Sequence, residues 1–114
     1  MRVKLNTRQV GDVVVIDVSG RITLGESSAA MREEIHALTD KAIKKVLLNL
    51  GDVTYIDSSG LGELVSGYTT LLHRGGALKL LGLTKQVREV LQITKVYPLF
   101  EVYEDEAQAV RSFA

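Results

Sequence analysis

The sequence predicts an α/β fold, a mixed sheet with an N-terminal hairpin and parallel central strands packed against about four helices. Three observations lead there. Val46-Leu47-Leu48-Asn49-Leu50 is short and almost wholly apolar, as expected of a strand buried on both faces of a parallel sheet. Further on, Leu61, Leu64, Val65, Tyr68, Leu71 and Leu72 recur at helical spacing and define one buried stripe. Strand-like and helical segments then alternate to the C-terminus after an opening pair of strands, the order that right-handed crossovers between parallel strands produce.

Each element follows from its own residues. Val3 and Leu5 begin a short alternating strand, and residues 8–12, polar and containing Gly11, read as the turn into Val13-Val14-Val15-Ile16-Asp17-Val18, completing the hairpin. Residues 20–26 read as a loop. Ser27 or Ser28 is the expected cap of a helix running to about Asp40, with Met31, Ile35 and Leu38 turned inward. The strand at 46–50 follows, then the helix carrying the Leu61 to Leu72 stripe, which ends near Gly75-Gly76, where glycine can take the left-handed conformation that closes a helix. Ala77-Leu78-Lys79-Leu80-Leu81 is the next strand, and Thr84 caps a short helix bearing Val87, Val90 and Leu91. Past Pro98, residues Phe100, Val102 and Tyr103 suggest a last strand. Residues 105–113 make a closing helix with acids in its first turn and Arg111 in its last, as the helix dipole prefers.

Composition narrows the function classes. A chain of 114 residues is expected to form one domain, spanning 1–114, with a core that needs no staples. Lys plus Arg and Asp plus Glu number 14 each, so there is no basic excess of the kind that binds phosphate backbones, and direct nucleic-acid contact is not expected. The absence of cysteine excludes disulfides and thiolate metal sites. The first residues lack the apolar core of a signal peptide and no apolar run reaches membrane-spanning length, so no membrane association is expected and the location is read as cytoplasmic.

The stretch richest in chemistry is Asp57-Ser58-Ser59-Gly60-Leu61-Gly62, which puts a carboxylate and two hydroxyls where a strand turns into a helix. The first backbone N–H groups of a helix lack internal partners and carry partial positive charge. A Ser or Asp side chain can cap them, and a phosphate can use the same donors, with Gly60 and Gly62 keeping side-chain bulk away. Asp57 would resist an added phosphate through like-charge repulsion.

At these residues the chain resembles the anti-sigma factor antagonists, whose fold is the STAS domain. The family pattern is a buried strand, a short loop and then Asp-Ser-[Ser/Thr]-Gly-Leu-Gly opening a helix; here Asn49 to Ile56 leads into Asp57 to Gly62. The resemblance implies a phosphorylation-gated binding module that, unmodified, binds an anti-sigma factor acting as a serine kinase and frees a sigma factor, with a serine phosphatase to reset it. It makes Ser58 the phosphorylated residue and Ser59 the second candidate, and places the partner surface at Thr23, Asp57, Ser58, Ser59, Gly60, Leu61 and Gly62. Many relatives carry an acid in a Gly-x-[Leu/Ile]-Asp pattern after the second strand, whereas this chain reads Gly20-Arg21-Ile22-Thr23, keeping a hydroxyl without the charge. That departure gives weight to an alternative, a STAS scaffold or transporter-associated subunit, stressosome-like or the partner of an ATPase, in which Ser58 is never phosphorylated. Because functional loops gather beyond the carboxyl ends of parallel strands, residues 20–26 and Gly82-Leu83-Thr84 are expected to join the hexapeptide there.

Other readings are weaker. Gly60-Leu61-Gly62 lacks the Lys-[Ser/Thr] of a Walker loop and the third glycine of a dinucleotide site, so no cofactor is assigned. Ser58, His73 and Asp57 are the residue types of a hydrolase triad, but His73 lies about 20 Å from Ser58 along a helix axis at 1.5 Å per residue, so no catalytic residue is assigned unless His36 enters the site. His36 and His73 have no neighbours at metal-ligand spacing and are read as surface residues without a metal.

Overall fold

The computed structural model describes residues 3–114. Among them, five strands form one sheet in the order β1-β2-β3-β4-β5. β1 (Lys4–Val10) pairs antiparallel with β2 (Val13–Ile22), while β3 (Lys45–Ile56), β4 (Ala77–Leu81) and β5 (Val102–Tyr103) run parallel to β2. Helices α1 (Glu26–Asp40), α2 (Ser58–His73) and α3 (Lys85–Ile93) are the crossovers, and α4 (Glu106–Arg111) closes the chain. The mixed sheet and its parallel centre match the sequence expectation.

Alternating side chains divide the core. Val14, Ile16, Leu48, Leu50 and Leu80 face α1, α2 and α3, where Met31, Ile35, Leu64 and Leu91 complete one cluster. Val13, Val15, Leu47 and Leu81 face the opposite way, under Ala109 of α4. The strand at 46–50 is therefore apolar on both sides because both sides are covered.

Several boundaries differ from those the sequence suggests. The hairpin turn is only Gly11-Asp12, since Val10 already pairs with Val13; Gly11, at φ +63, supplies the positive φ that a tight hairpin demands of its first turn residue. Arg8 therefore belongs to β1. Residues 20–22 are strand and not loop, and β3 runs on through 51–56. Both extensions are hidden by register shifts between Asp17 and Ser19 and between Gly20 and Arg21, which break the alternation that marks a strand in sequence. Helix α1 begins after Gly25 with no side-chain cap. Ser27 and Ser28 are buried and bond backward to Thr23 instead.

Most of the Leu61 to Leu72 stripe is inward, but Leu72 is largely exposed beside the last turn of α2. That helix does end as expected, with Gly75 N–H donating to Leu72 O at 3.1 Å and Gly76 N–H to Leu71 O at 2.7 Å, the paired bonds of a Schellman closure. Gly67 sits where α1 and α2 pack closely; a Cβ there would lie 2.7 Å from Ile35 Cδ1. Phe100 is buried just before β5 and meets Tyr68 edge-on at 5.5 Å between ring centroids.

Two cations tie α4 to the sheet. Lys79, buried on β4, donates to Ser112 O at 2.9 Å and Ser112 Oγ at 3.0 Å, and lies 4.7 Å from the Phe113 ring centroid. Arg8 forks between two carboxylates, with Nε 2.7 Å from Asp17 Oδ2 and Nη1 2.9 Å from Glu106 Oε2. Hydrogen bonds from Arg8 hold both acids below the usual carboxylate range, against the opposing effect of burial. A depressed folded-state pKa stabilises above the unfolded value and ceases to as pH falls through the folded one. We therefore predict that Arg8→Met loses on the order of 1 kcal/mol at pH 7, a figure kept small because the cluster is about one-third exposed. The difference should shrink below about pH 4 as both acids protonate, and urea melts of the two proteins from pH 7 to pH 3 check it.

Candidate functional site

The end of β3 delivers Asp57 to the start of α2, and Asp57 is the helix cap: its Oδ1 accepts from Gly60 N at 3.0 Å. Its other oxygen, Oδ2, accepts from Leu24 N at 3.1 Å, so one carboxylate ties the first turn of α2 to the loop after β2. The Gly60 amide, followed by those of Leu24 and Ser59, lowers the Asp57 pKa although desolvation opposes them. Its charge is thus directed inward, onto backbone donors.

With Asp57 occupying the cap, the two serines are free of that task. Ser58 is the first residue of the helix and exposed, and among the described residues its hydroxyl has no hydrogen-bond partner. Ser59 is partly covered. Leu61 turns into the core. Thr23 lies across from them with its backbone held by α1: Thr23 N donates to Ser27 Oγ at 2.7 Å, and Ser28 Oγ donates to Thr23 O at 2.7 Å.

The two glycines of the hexapeptide differ in purpose, which sequence alone does not reveal. A Cβ on Gly60 would strike the Ile22 carbonyl oxygen and approach within 2.8 Å of Ile56 Cγ1 and 2.9 Å of Ile22 Cγ2. Gly60 is required by the fit of α2 against the ends of β2 and β3. Among the described residues Gly62 meets nothing within 4 Å, and it is exposed, so the fold does not need a glycine there.

Of the three loops expected to converge, residues 23–25 and the hexapeptide are joined through Asp57. The segment Gly82-Leu83-Thr84 instead climbs the flank of β3: Gly82 lies near Gly51, and Thr84 Oγ1 donates to Val53 O at 2.7 Å while capping α3. Gln86 is a further residue at this end of the sheet, unmarked in the sequence. Its Oε1 accepts from Ile56 N at 3.0 Å and its Nε2 donates to Ile56 O at 3.4 Å, satisfying β3 where β4 no longer pairs with it. No signal marks such a residue, a polar side chain on a short helix.

The histidines lie elsewhere. His73 is the last residue of α2, at the end opposite Ser58, and His36 is exposed on α1 near Glu63, Ser66 and Thr70. Neither joins Ser58, and Asp57 is engaged by backbone amides, so the triad geometry is not formed.

The STAS domain model matches residues 4–109. The chain belongs to the STAS domain family. A relative from Paenibacillus polymyxa, named an anti-sigma F factor antagonist, is 20% identical over 96% of this chain and 94% of its own. Among solved structures, a putative anti-sigma factor antagonist from Thermotoga maritima superimposes with a TM-score of 0.88 at 24% identity, covering 96% of this chain and 93% of that one. The Bacillus protein SpoIIAA in its phosphorylated form superimposes with a TM-score of 0.77 at 21% identity, covering 97% and 100%. Among the described residues, no helix of this STAS domain is long and apolar enough to cross a membrane.

The contrast between the glycines is testable in denaturant melts. Gly60→Ala should destabilise the STAS domain by about 2–3 kcal/mol, because the backbone carbonyl it meets has nowhere to go. Gly62→Ala should stabilise it by about 0.5–1 kcal/mol, since alanine is the better helix former in open space.

Proposed function

We propose that this STAS domain is an anti-sigma factor antagonist: unmodified, it binds a cytoplasmic anti-sigma factor that is also a serine kinase, and phosphorylation at Ser58 ends that binding. The observation that carries the reading is the exposed Ser58 hydroxyl, without a hydrogen-bond partner among the described residues, on a helix turn whose cap is already supplied by Asp57. The names of the curated relatives, anti-sigma factor antagonists in Paenibacillus polymyxa and elsewhere, supply the class of partner.

The gate is electrostatic. A phosphoryl group adds about −1.5 to −2 charge at pH 7. On Ser58 it would sit beside a carboxylate that already consumes the amides of Gly60 and Leu24, so the new charge would face outward into whatever rests on this surface. Charge forced into a packed interface can cost several kcal/mol, and about 3 kcal/mol weakens binding roughly a hundredfold. Nothing in the core need change. The kinase would supply ATP, magnesium and the catalytic base, this chain only the acceptor, and a separate serine phosphatase would restore the hydroxyl. Ser59, partly covered, is the second acceptor.

One observation favours a different role. The loop after β2 carries Thr23 where many relatives have an acid, and a STAS scaffold or transporter-associated subunit, stressosome-like or ATPase-bound, would need no kinase contact. A stable large assembly in size-exclusion chromatography, with Ser58 unmodified in cells, would favour it.

The decisive experiment incubates the purified protein with the anti-sigma factor kinase encoded nearest its gene and magnesium ATP, then maps added phosphoryl by mass spectrometry. One phosphoryl group on Ser58 is expected. Ser58→Ala should bind the kinase but resist modification, and Ser58→Asp should bind about a hundredfold more weakly with its melting temperature near wild type. A Ser58→Asp protein that binds as well as wild type refutes the gate.

A further inference from the structure

Leu24 is 79% exposed, yet its backbone is held from both sides. Its own N–H is taken by Asp57 Oδ2 at 3.1 Å. The preceding Thr23 is fixed through N–H to Ser27 Oγ at 2.7 Å and through its carbonyl, which accepts from Ser27 Oγ at 2.9 Å and Ser28 Oγ at 2.7 Å. On the other side, Gly25 O accepts from Ala29 N at 3.0 Å. Two buried serines and the α2 cap are thus committed to a loop that contributes no side chain of its own to the core. Thr23 is half-buried with its hydroxyl 3.5 Å from Ser27 Oγ, so what the loop offers outward is Leu24.

Exposed leucines are ordinary, and the chain has others. Leu72 and Leu99 border a shallow groove beside the last turn of α2, and Ile93, equally exposed, ends α3. Leu24 differs from these because the carboxylate that holds it also caps the turn bearing Ser58. An apolar side chain on a backbone ordered in advance gives up little conformational entropy when it enters a pocket, which is the property of an interface anchor.

We infer that Leu24 is the apolar anchor of the partner-binding surface, received by an apolar pocket on the anti-sigma factor kinase immediately beside the groups that engage Ser58. The inference rests on the proposed partner reading and makes it specific: this chain grips by burying Leu24, with charge at Ser58 deciding whether the seat stays occupied. Asp57 is then a positioning residue that sets Leu24 and Ser58 at a fixed separation. Gly62, exposed and without packing need for its missing side chain, lies one helical turn from Ser58 and leaves that face low enough for a partner to close over both.

The test is titration calorimetry of wild type, Leu24→Ser, Leu24→Met and Ile93→Ser against the anti-sigma factor kinase encoded nearest the gene, with a thermal melt of each. Leu24→Ser should weaken binding about tenfold to a hundredfold, the worth of one buried leucine side chain. Leu24→Met should stay within about threefold of wild type, Ile93→Ser should bind as wild type does, and all four should melt alike. Wild-type binding with Leu24→Ser within about twofold of it overturns the anchor alone. Equal losses for Leu24→Ser and Ile93→Ser also overturn it, since the effect would then belong to any exposed apolar residue. Failure of wild type to bind removes the partner reading itself, and the anchor with it.

Discussion

The closeness of Gly60 to the Ile22 carbonyl governs the end of the molecule that carries the hexapeptide. Because that residue has no side chain, α2 starts in contact with the last residue of β2, and Asp57 N–H reaches Ile22 O at 3.2 Å. The Asp57 carboxylate is then within reach of both the helix amide at Gly60 and the loop amide at Leu24. A single close approach orients the helix, spends the cap on an acid, and leaves the adjacent serine outside with no structural duty.

The sheet beneath supplies the rigidity this arrangement needs. β2 and β3 run past the end of β4, and unsatisfied backbone in the overhang would fray. Thr84 and Gln86 prevent that by bonding Val53 and Ile56, so α3 braces the strand that leads into the hexapeptide. At the far side of the sheet, Lys79 and Arg8 fasten α4 over the second apolar layer. On the proposed reading, this division suits a binding module regulated by charge: the core carries stability and the overhang carries recognition.

The alternating strands and helices were legible in the sequence because burial on both faces and helical periodicity leave strong patterns, as at 46–50 and at Leu61, Leu64 and Leu71. Ala77–Leu81 and the cap at Thr84 lie where those patterns put them. The overhangs at 20–22 and 51–56 were not legible, since bulged register scatters the buried positions Val53 and Ile56 out of alternation. Ser27 and Ser28 misled for a related reason: a serine ahead of an amphipathic run looks like a cap, whereas here both hydroxyls answer a carbonyl brought near by tertiary structure. The hexapeptide disclosed its place at a helix start. It did not disclose that the acid is engaged by the loop at Leu24 as well as the helix while Ser58 stands outside, or that Gly60 serves packing against Ile22, because Leu24 and Ile22 are both distant in sequence.

On the proposed reading, modification at Ser58 changes the surface while the interior stays as it is. Amide hydrogen exchange followed by mass spectrometry, comparing the Ser58-phosphorylated and unmodified protein, addresses it directly. Protection should be unchanged in β2, β3 and β4, with differences confined to residues 23–25 and 57–62. Loss of protection through the central strands would contradict it, showing that the phosphate acts by loosening the fold.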